Sequence, residues 1–118
     1  MTSAPVAAPK APALDADLIR RTFKGVLGES RVGTPPPAGE EQRAHTAGML
    51  RGQVGVLLRV VGGDIDRMRG ENRATAEYVM LQARCLLTYD PARSRTPDGL
   101  VDLALMARSL LTLHEIAW

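Results

Sequence analysis

Between Ala47 and Met68 the apolar side chains fall at Ala47, Leu50, Val54, Leu57, Val61, Ile65 and Met68. Steps of three and four residues are the repeat of one helix face, so the pattern predicts a long helix beginning near Glu40 and Glu41. Those two carboxylates suit the positive end of a helix. A ridge of small residues, Ala44, Gly48, Gly55 and Gly62 with Gly52 close by, runs beside the stripe. Each glycine costs a helix about 1 kcal/mol relative to alanine. Close approach of a neighbouring helix is the expected return. Gly62 and Gly63 could divide the helix, and we expect it to be continuous. Met49, Val56 and Val60 lie away from the main stripe. They form a second apolar strip, which means either that the helix lies at the centre of the bundle or that the strip is a contact surface for another copy of the chain or a protein partner.

The other periodic segments are shorter. Over 15–27, Ile19, Phe23, Val26 and Leu27 gather on one side and Arg20, Arg21 and Lys24 on the other. Asp15 suits the N-cap and Gly28 the C-terminal stop. A third helix is expected from about Asn72 to Tyr89, with Asn72 or Thr75 as its cap. Ala76, Val79, Ala83, Leu86 and Leu87 form its inner face, and Asp90-Pro91 ends it. The clearest start is Thr96-Pro97-Asp98, an N-cap followed by proline at the first helical position. From there Leu100, Leu103, Ala104, Ala107, Leu110 and Leu111 form a broad apolar face towards Trp118. Asp98, Asp102, Arg108, Ser109, Thr112 and Glu115 form a polar one. No segment reads as a strand. The expected fold is all-α, a small four-helix bundle over 14–118.

Proline punctuates the rest. Residues 1–13 are rich in Pro and Ala and lack the large apolar side chains needed to offset ordering entropy, so a disordered tail is expected. Thr34-Pro35-Pro36-Pro37 favours an extended linker between the first two helices. Residues 91–96 read as a polar, arginine-bearing loop.

Composition narrows the function. The chain has 118 residues and a formal charge of +2, too small an excess to signal a nucleic-acid protein by itself. Aromatics are 3%, which argues against base-stacking surfaces. A single cysteine excludes an internal disulfide and a multi-Cys zinc site. The clustered ligands that a metal needs are absent, and no cofactor is expected. No stretch has the length and hydropathy of a membrane span, and the N-terminus lacks the pattern of a signal peptide, so a cytoplasmic protein is expected.

Few residues carry obvious chemistry. His114 lies on the apolar face of the last helix and could act as a general base. A core or interface histidine with one nitrogen satisfied is the plainer expectation. His45 reads as a solvated residue. Cys85 could be a nucleophile only beside a base, and a buried small hydrophobe is expected instead. Arg67, Arg69 and Arg73 cluster near the start of the third helix, and Arg93 and Arg95 follow its end. On one face they could hold an anion or a phosphate backbone, but Asp64, Asp66, Glu71 and Glu77 are interspersed and favour a solvated ion-pair surface.

Three segments carry a resemblance: Leu50-Arg51-Gly52-Gln53, Gln82-Ala83-Arg84-Cys85-Leu86 and Met106-Ala107-Arg108-Ser109-Leu110. Over roughly 40–113 the chain resembles a small actinomycete family of unknown function labelled as natural-product-biosynthesis proteins. That family often has His where this chain has Gln53, and it carries a Cys-Asp-His-Tyr-like ending where this chain reads His114-Glu115-Ile116-Ala117-Trp118. The resemblance implies an all-α fold and a setting in specialised metabolism, and it brings no catalytic residues. Arg51, Arg84 and Arg108 recur in these segments. With His114 they are the candidates for a polar cluster, or else for ion pairs between helices.

The combined expectation is a non-enzymatic accessory or interaction protein, acting as a homodimer or with a protein partner. The alternative is a small helical nucleic-acid-binding regulator using the arginines at 67–73 and 93–95. An enzyme using His114 and Cys85 is the remaining option.

Overall fold

Local signals set most of the helix boundaries. The computed structural model describes residues 14–28, 39–88 and 91–116. Helix α1 spans Ala16–Leu27, with the Leu18 amide donating to Asp15 Oδ1 at 3.0 Å and Gly28 closing the last turn. Helix α2 spans Glu40–Asp64 and runs unbroken through Gly62 and Gly63. Helix α3 spans Gly70–Thr88, a short α4 covers Pro91–Ser94, and α5 spans Pro97–Ile116. At the start of α5 the Gly99 amide donates to Thr96 Oγ1 at 3.0 Å, which confirms Thr96 as the N-cap. No strand occurs among the described residues. The expected tail at 1–13 and the proline linker at 34–37 lie outside them.

Helices α2 and α5 pack along each other as the central pair. Helix α1 lies against both on one side and α3 against both on the other. Arg43 Nε donates to the Arg95 carbonyl at the start of α5, and Asp64 meets His114 near its end, so α5 runs parallel to α2 and antiparallel to α3. The core is aliphatic. Leu50, Val54, Leu57 and Val61 of α2 interlock with Leu103, Leu110 and Leu111 of α5, and Ile19, Phe23, Ala76, Met80 and Ala83 close the flanks. Burying one such side chain stabilises the fold by about 1.5–3 kcal/mol.

Several expectations are corrected. The glycine ridge of α2 is not clasped by a neighbouring helix. A Cβ built at Gly48, Gly52 or Gly55 meets nothing within 4 Å, and only one at Gly62 touches a neighbour, Met80 Cε at 3.4 Å. Met68 is buried, as the apolar repeat implied, but not on a helix. After Asp64 the chain makes a 3-10 turn over Ile65–Arg67 and an extended step at Met68. It then turns into α3 through Gly70, whose φ of 57° is open to glycine at no steric cost. Helix α3 therefore starts two residues before the expected Asn72, and Asn72 and Thr75 lie inside it. The loop expected at 91–96 contains α4. Cys85 is exposed rather than buried, because α3 turns residues 78, 81 and 85 away from the core and towards the surface.

Gly99 has the close-contact role expected of the α2 glycines. A Cβ there would collide with the Arg93 carbonyl oxygen. The same oxygen accepts from the Thr96 hydroxyl at 2.8 Å, so the α4–α5 corner is closed by backbone against backbone.

Candidate functional site

The polar candidates are divided between the two ends of the bundle. Near the end of α3, Arg51 reaches across from α2. Its Nη2 donates to the Leu87 carbonyl at 2.6 Å and its Nη1 to the hydroxyl of buried Ser94 at 3.0 Å. The last carbonyls of a helix lack intrahelical donors, and a guanidinium satisfies two acceptors at once. Arg51 is therefore a clasp that ties α2 to the end of α3 and to α4.

His114 stands at the other end, about 20 Å further along α2 at 1.5 Å per residue. Its Nδ1 lies 2.7 Å from Oδ2 of Asp64, whose side chain is only 10% exposed, while that of His114 is 30% exposed. The pair joins the ends of α2 and α5. Next to it in sequence, Glu115 pairs with Arg20 of α1, which also reaches Asp17. Arg84 and Arg108 are exposed on α3 and α5. The four polar-cluster candidates thus do not converge. Asp64, the partner of His114, lies 50 positions away. Its only sequence signal is an acid in register with the apolar stripe of α2.

The arginines proposed for anion binding are likewise separated. Arg67, Arg69 and Arg73 lie at the start of α3, and Arg93 and Arg95 beyond its end. The 19 residues of α3 hold them apart by about 28 Å. Arg73 pairs with Glu77 at 3.6 Å. They do not form a single patch.

Two grooves open on opposite sides of the bundle. Between α1 and α2 lies an apolar one of about 410 Å³, lined by Leu14, Leu18, Met49, Val56 and the bare backbone at Gly48 and Gly52. It takes in Met49 and Val56 of the expected interface strip, whereas Val60 is half-buried farther along α2. At its floor Gln53 Nε2 donates to Thr22 Oγ1 at 3.3 Å, and Gln53 Oε1 is buried without a partner.

The larger groove, about 680 Å³, lies between α3 and α5. Tyr78, Leu81, Gln82, Cys85 and Leu86 line one wall, and Asp102, Leu105, Met106 and Ser109 the other, with Arg93 at one end. Leu18 apart, the exposed large apolar side chains among the described residues are all on these two helices: Tyr78, Leu81, Val101, Leu105 and Ile116. Tyr78 is 61% exposed and Leu81 58%. Gln82 Nε2 donates to the Tyr78 hydroxyl at 2.8 Å and steadies the ring. The spacing of Tyr78, Leu81 and Cys85 is itself helical. It is a second apolar stripe on α3, opposite the inner face.

No group of three or more His, Cys, Asp or Glu that could hold a metal occurs among the described residues, and no helix there is long and apolar enough to cross a membrane. No protein-family model, curated protein or solved structure matches the chain.

Proposed function

We propose that this chain is a non-enzymatic accessory protein that docks a protein partner on the outer face of α3 and α5. One observation carries the reading. Tyr78, Leu81 and Leu105 are exposed apolar side chains on two adjacent helices and line one groove of about 680 Å³, with exposed Val101 one turn before Leu105. Isolated exposed apolar residues are ordinary, but a contiguous patch with a charged border is the composition of an interaction surface. A groove between helices receives an apolar stripe from another helix through contacts at three- and four-residue spacing.

The polar groups fit a structural role better than a catalytic one. Arg51 is occupied by a helix end and a buried hydroxyl, and His114 by a buried carboxylate. Neither lines the α3–α5 groove, where Cys85 has no histidine beside it among the lining residues. The wider setting, a specialised-metabolite system of an actinomycete, rests on the resemblance of the three arginine-bearing segments.

The test is capture of the tagged full chain from its host, side by side with a Leu81→Glu/Leu105→Glu variant. Both positions are exposed, so the variant keeps the circular dichroism spectrum of the parent. The expected result is a protein retained by the parent and lost by the variant. Equal capture by both would remove this face from the function.

A further inference from the structure

Among the described residues, the buried side-chain nitrogens and oxygens all have hydrogen-bond partners except Gln53 Oε1. The neighbouring threonine fixes which way that amide faces. The Thr22 hydroxyl donates its proton to the Leu18 carbonyl at 2.7 Å, so Thr22 Oγ1 has only lone pairs left to offer. The group facing it at 3.3 Å must therefore be the Gln53 amide nitrogen, and the amide oxygen is turned elsewhere. A buried acceptor without a donor is costly to a fold, and such atoms are few in folded proteins.

Gln53 lines the α1–α2 groove. The lining around it is apolar, with Leu18 and Ile19 on α1 and Met49 and Val56 on α2. It holds no Lys, Arg or His, and its one carboxylate, Asp15, is the N-cap of α1. Gly48 and Gly52 keep the hollow open, since a Cβ at either meets nothing within 4 Å. Met49 lies four residues before Gln53 and is therefore its neighbour on the surface of α2. It is half-buried, and its unbranched side chain repacks easily, so it can give way and admit a donor to Oε1.

We infer that the α1–α2 groove binds a small, neutral, largely apolar molecule carrying one hydrogen-bond donor, a ring N–H or a hydroxyl, with Gln53 Oε1 as the acceptor. The volume of about 410 Å³ falls in the range of small-molecule sites, about 300–1,000 Å³. Such sites combine an apolar lining with a few placed polar groups that orient the ligand, which is the composition found around Gln53. An anion meets no cation in this lining, and a molecule without a donor leaves Oε1 unpaired. The site lies across the bundle from the α3–α5 face and does not depend on the partner proposed for that face.

Amide NMR spectra of the isotope-labelled full chain, titrated with indole and with benzofuran, test this. The two bicycles share a shape, and only indole has a donor. Indole is expected to give saturable shifts at Gly48, Gly52 and the Gln53 side-chain amide, and none at Leu81. Gln53→Met replaces a half-satisfied amide by an apolar side chain of similar length, so the fold is kept and the acceptor is lost. The preference for indole over benzofuran is expected to be about tenfold greater in the parent than in Gln53→Met. Gly52→Leu puts a side chain into the hollow. It is expected to keep the circular dichroism spectrum of the parent and to lose indole binding. Absence of saturable indole shifts at the groove would overturn the site. A preference for indole that is the same in the parent and in Gln53→Met would overturn the role of Oε1. Indole binding of unchanged affinity in Gly52→Leu would place the ligand elsewhere. None of these results bears on capture of a protein at Leu81 and Leu105, so the two readings fail separately.

Discussion

The α1–α2 groove and the α3–α5 groove are both apolar channels between helices, yet they are built in opposite ways. The first is a hollow made by missing side chains. Gly48 and Gly52 leave the backbone of α2 bare, with Leu18, Met49 and Val56 around the gap. The second is framed by side chains that project. Tyr78, Leu81 and Leu105 stand out from α3 and α5, with Arg93 and Asp102 in the groove beside them. A hollow of glycines costs helix stability without saying which protein should fill it. Projecting apolar groups bordered by charge restrict both the partner and its orientation. A docking surface is therefore better supported on α3 and α5 than on the strip of α2, although the repeat on α2 is the more conspicuous in the sequence.

The contrast can be broken at the corner supporting the second groove. Gly99→Ala forces a Cβ against the Arg93 carbonyl, and neither backbone segment can yield without opening the α4–α5 turn. A loss of about 3 kcal/mol is expected in urea unfolding. Loss below about 0.5 kcal/mol would mean that the corner is not tightly closed. Arg51→Ala comes next. It strips a helix-end carbonyl and a buried hydroxyl of their charged donor, and should cost about 1.5–3 kcal/mol.

Filling the first groove should act in the other direction. Gly48→Ala and Gly52→Ala add a methyl group where nothing lies within 4 Å, and each should stabilise α2 by about 0.5–1 kcal/mol. Destabilisation by either would show that this groove receives another part of the molecule. The smallest expected effect on folding sharpens the comparison most. Leu81→Glu should change stability by less than about 0.5 kcal/mol, because the side chain is exposed. Its measurable consequence should lie in association alone.

Much of the architecture was legible because helices announce themselves locally. The alternation of three and four residues marked Ala47, Leu50, Val54, Leu57 and Val61 as core, and all are buried. Thr96, Pro97 and Asp98 marked the start of α5 through capping chemistry that involves only adjacent residues. The candidate site was less legible. The apolar stripe over Tyr78, Leu81 and Cys85 was visible as spacing, but whether it faces the core or the outside depends on where α2 and α5 lie. The inner face of α3 was assigned correctly at Ala76 and Ala83 while Met80 was missed.

By itself, then, the order of residues determined the helices, their caps and most of their buried faces, since these follow from contacts within a few positions along the chain. Tertiary structure alone decided that His114 meets Asp64, that Arg51 clasps the end of α3, that Gly99 rather than Gly48 or Gly52 is held against neighbouring backbone, and that Tyr78, Leu81 and Cys85 share a groove with α5. Each of these depends on the relative rotation and level of packed helices. Those are set by how the whole core interlocks, and no local repeat encodes them.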